Sequence, residues 1–286
     1  MKSYKEKIGE AIFLLSAATA VFLIGLITFF IFKSGLNFIN KYGLISFLTG
    51  QKWAPTAKPP YFGIGPMIVG SVIVTLISTM IALPFGLSIS IFMAYYAKKS
   101  YGFLKSLINL MAAIPSIIYG FFAMMVLVPF MAQTFHVKGM NMITASILLS
   151  IMILPTMVNI SQNSLEQVPK VFYTGSLALG ATKEETIRKV MVPYAKSGIF
   201  SSIILAIGRS IGETMAVYLV VGNQPRMPHS LFDGVRTLTT NIVLEMGYAA
   251  GDHKEALIAT GMVLFVFILI INVIFNFIRR RGDAKL

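Results

Sequence analysis

The sequence predicts an all-α membrane protein of about six transmembrane helices, and three observations carry that expectation. Of its 286 residues, 56% are apolar and only 12% are charged, about half the charged share of a soluble domain. The charges are bunched between long runs that hold none. Those runs reach the roughly 20 apolar residues that a helix needs to cross the hydrocarbon core.

The runs fall at 11–32, 67–97, 106–132, 142–160, 199–221 and 256–278. The first follows a short basic start, Met1-Lys2-Ser3-Tyr4-Lys5-Glu6-Lys7, as a secretory leader does. It is longer than the 7–15 apolar residues of a leader, and bulky Phe29, Phe30 and Phe32 stand where small residues precede cleavage. It is therefore expected to be a retained helix. The chain divides as 1–66 (first helix and an outer loop beginning at Lys33), 67–280 (the main bundle, with the loop 161–198) and a tail at 281–286.

Six spans put both termini on one side, and basic residues set the direction. The ends and the loops 98–105 and 161–198 hold 15 Lys and Arg, against 8 on the opposite side. The richer side is cytoplasmic by the positive-inside rule. The net charge of +13 is thus a matter of topology, and nucleic acid is not an expected partner. The absence of cysteine excludes disulfides and thiolate metal sites. His136, His229 and His253 lie far apart in predicted loops, so no metal site is expected. Pro84, Pro115 and Pro155 fall inside spans two, three and four, where each removes a backbone donor and can kink its helix.

The loop 161–198 is patterned. Pro169 suits the first position of a helix over 170–179. Gly180 suits a left-handed stop. Thr182 and Glu185 have the spacing of a capping box, opening a second helix from Lys183 to about Val192, after which Pro193 turns the chain toward span five. Such an elbow is either a solvated linker or a docking lever for a cytoplasmic motor.

Arg209 and Glu213 are the only charged residues inside a predicted span. An arginine at mid-span costs about 2.5–3.5 kcal/mol on insertion scales, so it needs a compensating role. Four residues apart on a continuous helix, the two share a face and can pair. Gly208 and Gly212 beside them permit close approach of another helix. One reading is a structural ion pair. The other makes Arg209 a relay for a tetrahedral oxyanion, whose oxygens a guanidinium matches in pairs, with Glu213 keeping that hold weak enough to release.

These residues resemble a known family. Gly180, nine residues, then Val190-Met191-Val192-Pro193 is similar to the cytoplasmic signature of permease subunits of ATP-binding-cassette importers, with Thr174-Gly175-Ser176 in the Glu-Ala-Ala positions and no glutamate. Ile211-Gly212-Glu213-Thr214-Met215-Ala216-Val217 with Gly222-Asn223 resembles the fifth span of the PstC-type subunits of phosphate importers. So do Ala113-Ile114-Pro115-Ser116-Ile117-Ile118-Tyr119-Gly120, Leu179-Gly180-Ala181-Thr182, and Trp53-Ala54-Pro55 with Phe62-Gly63-Ile64. The resemblance implies a type I importer permease core with Arg209 and Glu213 on the phosphate pathway. It implies ATPase coupling through Thr174, Gly175, Ser176, Gly180, Thr182, Glu185 and Pro193. It also implies docking of an extracytoplasmic phosphate-binding protein on the outer loops, with Trp53, Arg226, Arg236 and His229 as rim candidates.

No G-x-x-x-x-G-K-[ST] loop occurs. ATP and magnesium are therefore expected on a separate ATPase dimer, with a PstA-like permease as the membrane partner and no cofactor on this chain. The rival readings are a permease for sulfate or molybdate and an ion-coupled carrier using Glu213 as its proton site. A carrier needs no motor dock.

Overall fold

The computed structural model describes residues 4–283. Residues 1–3 and 284–286, the latter part of the expected tail, lie outside the described residues; the last helix runs on through Asp283. The described chain is helical except for one short hairpin and its connecting loops.

The first helix, α1 (Tyr4–Tyr42), does not stop near residue 32. The segment 33–42, expected as outer loop, continues the helix because Phe38 and Ile39 are buried against the last helix, α14 (Asp252–Asp283). Gly35 lets the two approach: a Cβ there meets Met262 Sδ at 3.0 Å. Gly43, at φ +85, ends α1. Before that contact region, nearly every residue of α1 from Ile8 to Phe30 is exposed.

After α2 (Leu44–Thr49), strands β1 (Trp53–Ala54) and β2 (Tyr61–Phe62) form an antiparallel pair. Phe38, Phe47, Trp53, Phe62 and Ile64 pack there into one aromatic-rich core with Leu238 and Leu257. This outer cap requires Gly63, where an added Cβ would collide with the backbone of Gly50.

The bundle centre is α3 (Gly65–Tyr95) packed on α7 (Met142–Glu166). Ala82, Ile153, Met157 and Ala206 fill one layer between them, and Val74, Leu148 and Leu149 fill another. Pro84 and Pro155 lie within these helices without breaking them. Pro155 is buried, and Pro84, itself exposed, is flanked by Ala82 and Gly86 packed on Met157 of α7, which keeps both helices continuous, as bilayer bundles allow.

Pro115 acts differently. It divides the expected third span into α4 (Tyr101–Ala113) and α5 (Ser116–Met125), with α6 (Leu127–Phe135) following. Ile114 takes an extended conformation at ψ 126, which is what a following proline favours. The residues 98–105, expected as a loop, are mostly the first turn of α4.

The elbow comprises α8 (Lys170–Ala178), α9 (Lys183–Thr186), a π-helical turn (Ile187–Met191) and α10 (Val192–Tyr194). It joins α11 (Lys196–Gly212) at a 67° bend. The bend falls at Ala195, the residue after α10, so Pro193 sits inside the helical segment and does not turn the chain. The expected fifth span is also split, with α12 (Met215–Val220) following a break. A short α13 (Leu238–Glu245) precedes α14. Among the described residues five helices are long and apolar enough to span a bilayer, or six if the bent pair 183–194 and 196–212 counts as one.

Candidate translocation site

Arg209 stands on α11 beside α7, on an exposed face. Its guanidinium donates to Thr156 Oγ1 of α7 at 3.2 Å, and the side chain is exposed. Gly208 and Gly212 on either side have no atom within 4 Å of an added Cβ. The small-residue face that the sequence marks for close helix approach is therefore left open by every element of this chain.

Glu213 does not pair with Arg209. The helix ends at Gly212, and Glu213 turns extended at φ −68, ψ 132. The i, i+4 relation that would bring the two together exists only while the helix continues. Instead, Glu213 Oε1 accepts from the backbone N–H groups of Thr214 at 3.1 Å and Ala216 at 3.3 Å. Those donors are freed by the break, and a buried unmet donor costs about 1–3 kcal/mol. Thr239 Oγ1 donates to the carbonyl of Glu213 at 3.0 Å and ties the break to α13. Glu213 also lines a cavity of about 10 Å³ whose polar groups come from Ser71, Thr75, Ser210 and Thr237 and whose apolar wall includes Val74 and Leu149. That is room for one water.

At the elbow, Gly180 takes φ +87, a conformation only glycine reaches easily. The Thr182–Glu185 capping box is present in both directions. Ser176 and Thr186 hydroxyls meet at 2.9 Å and lock α8 to α9. Thr174 and Gly175 are exposed on α8, as is Leu179 beyond it at 91%. Lys183 pins the elbow to the end of α3: its Nζ donates to the Tyr95 carbonyl at 2.9 Å and lies 3.7 Å from the Tyr96 ring centroid. Thr182→Ala is expected to cost about 1 kcal/mol locally. The expected readout is faster amide exchange over 183–186 with α3 unchanged; equal rates in both proteins would show that the cap is idle.

Two of the outer rim candidates turn inward. Trp53 is 5% exposed, and its indole N–H donates to Glu245 Oε2 at 2.8 Å. Arg236 donates to Glu245 Oε1, to Asn241 Oδ1 at 2.9 Å and to the Asn223 carbonyl at 3.3 Å. His253 Nε2 shares a hydrogen bond with Glu245 Oε2 at 2.7 Å. Burial raises the Glu245 pKa, but the hydrogen bonds from Trp53, Arg236 and His253 outweigh it and hold the carboxyl below its ordinary value. Trp53 and Arg236 thus close the cap from within. Arg226 and His229 are the rim candidates that remain exposed.

Sequence reasoning missed Glu245, and it missed a polar row on α7. Lys105 of α4, considered only for its charge, donates to Asn159 and Gln162. Thr156, Asn159 and Gln162 recur every three residues along one span, a signal passed over because none is charged.

The description "Binding-protein-dependent transport system inner membrane component" matches residues 86–283. The chain belongs to that family. Among its relatives, the probable ABC transporter permease protein YqgH of Bacillus subtilis is 41% identical, with 86% of this chain and 83% of the relative aligned. A phosphate transport system permease protein PstC of Mesorhizobium japonicum is 33% identical over 94% of this chain and 88% of the relative. A solved bacterial alginate ABC transporter, in complex with an alginate-bound periplasmic protein, shares the fold at TM-score 0.64, with 14% identity over 98% of each chain. The permease core expected from the resemblance is therefore the observed one, and the chain is a membrane component with several apolar helices.

Proposed function

We propose that this chain is the PstC-type half of a permease that imports inorganic phosphate. The carrying observation is Arg209: a guanidinium in a bilayer-spanning helix, bound among the described residues only to a neutral hydroxyl and exposed on a face this chain leaves bare. Such a group does not face lipid, because charge in the membrane lines protein or water. The bare face then belongs to a PstA-like partner permease, with an aqueous path between the halves where Arg209 meets the anion. The names of the PstC relatives supply the substrate.

The elbow receives an ATPase dimer, which binds ATP and magnesium. Its movement on ATP binding drives the two halves between openings. An extracytoplasmic phosphate-binding protein docks over Arg226 and His229. Both termini and the elbow are cytoplasmic, on the side rich in Lys and Arg.

The test is uptake of labelled phosphate by the complete reconstituted complex, with unlabelled sulfate or molybdate in tenfold excess. Uptake that needs ATP and resists both competitors is expected. Sulfate or molybdate abolishing uptake would transfer the assignment to that oxyanion, and uptake without ATP would favour an ion-coupled carrier.

A further inference from the structure

We propose that Lys105 forms a second phosphate-binding station, one helical turn nearer the elbow than Arg209. The proposal rests on the phosphate reading above and names a residue that hands the anion onward after Arg209.

The two cations are mounted on the same helix. Arg209 is held by Thr156 of α7, and Lys105 Nζ donates to Asn159 Oδ1 at 2.9 Å and to Gln162 Oε1 at 3.0 Å. Thr156 and Asn159 are three residues apart, a rise of about 4.5 Å. The anchors are therefore near neighbours along one face of α7, and the cations they hold arrive from different helices, α11 and α4.

Neither cation is in direct contact with a carboxylate among the described residues. Among the described residues the ion pairs within 4.0 Å join Lys41 to Asp252, Lys189 to Glu185, and Glu245 to Arg236 and His253. Neither Arg209 nor Lys105 takes part in one. The carboxylate linked to Lys105 is Glu166, reached only through Gln162, whose Nε2 donates to Glu166 Oε1 at 2.8 Å and to the Tyr101 hydroxyl at 2.8 Å. An ammonium has three donors. Two are aimed at neutral amide oxygens, which leaves one N–H for an anion.

A purely structural clasp between α4 and α7 needs no formal charge. Conduction, in contrast, needs successive sites that bind weakly and release. Tyr101 and Glu166, the other partners of Gln162, line an open surface recess with Met93, Ala94 and Lys98.

The experiment uses the complete complex in proteoliposomes and reads labelled phosphate uptake alongside ATP hydrolysis stimulated by the loaded binding protein. Lys105→Gln keeps a hydrogen-bond donor for Asn159 and removes the charge; Lys105→Arg keeps the charge and changes the donor geometry. A second station predicts uptake reduced on the order of tenfold in Lys105→Gln, restored to within about twofold by Lys105→Arg, with stimulated ATP hydrolysis retained in both. Full uptake in Lys105→Gln, or rescue by glutamine and not by arginine, would overturn the station and leave a structural clasp. If Arg209→Gln blocks uptake while Lys105→Gln does not, this proposal fails alone. If the unmodified complex imports no phosphate, the functional reading and this proposal both fall.

Discussion

Arg209→Gln is expected to lower phosphate uptake by on the order of 100-fold while the complex assembles at its normal yield. The magnitude follows from losing a bidentate, charge-assisted contact to the anion, worth about 3 kcal/mol. The intact assembly follows from the structure. Among the described residues Arg209 makes no ion pair and donates to a single hydroxyl, and it stands beside two glycines with open space around them. Its link to the rest of this chain is the hydrogen bond to Thr156, which glutamine can also make. Arg209→Lys retains the charge without the planar fork and is expected to fall between the two. Uptake at the normal rate in Arg209→Gln would remove the arginine from the pathway. Because Glu213 is occupied with the backbone of Thr214 and Ala216, Glu213→Gln should act differently, through the break between α11 and α12.

The second large effect is one of stability. Glu245→Ala is expected to destabilise the outer cap by about 3–5 kcal/mol, the cost of leaving a buried charge without its partner. Arg236 and Glu245 side chains are 11% and 9% exposed, and Trp53 and His253 converge on the same carboxylate. One residue thus ties together the hairpin, the loop before α13 and the start of α14. The readout is the melting temperature of the purified complex. Arg236→Met combined with Glu245→Leu should recover part of the loss, since an apolar pair strands no charge. An unchanged melting temperature in Glu245→Ala would show that the network is not a stabilising element. The pH dependence has a definite sign. Glu245 has a folded pKa below its ordinary 4.5. Its contribution is therefore present above that value and is lost as pH falls through the lowered one.

The bundle was legible because a bilayer imposes a coarse code. A span has to be long, apolar and nearly free of charge, and the runs in this chain meet that rule, the fifth with Arg209 and Glu213 as its exceptions. The elbow was legible for a different reason: Gly180, Thr182 and Glu185 act within a few residues of themselves, so local chemistry decides them. The break at Glu213 was not legible. Gly212 permits a helix to end but does not require it, and the freed backbone groups are met only because the Glu213 side chain and Thr239 reach them. The proline outcomes divide on the same ground. Pro84, Pro115 and Pro155 read alike in sequence, but α3 and α7 brace each other around two of them, and the third parts α4 from α5.

By itself, then, the sequence determined that the chain lives in a membrane, how many apolar segments it has, and where its elbow folds. It also marked Arg209 as a charge needing a purpose. The tertiary structure decided the purpose's geometry. It separated Arg209 from Glu213, drew Trp53 and Arg236 inward to Glu245, extended α1 along α14, and placed Lys105 against the row of neutral groups that begins at Thr156. Each of these joins residues far apart in the chain. Composition and spacing record what a segment can tolerate, while the partner a charged group takes depends on which distant surface arrives beside it.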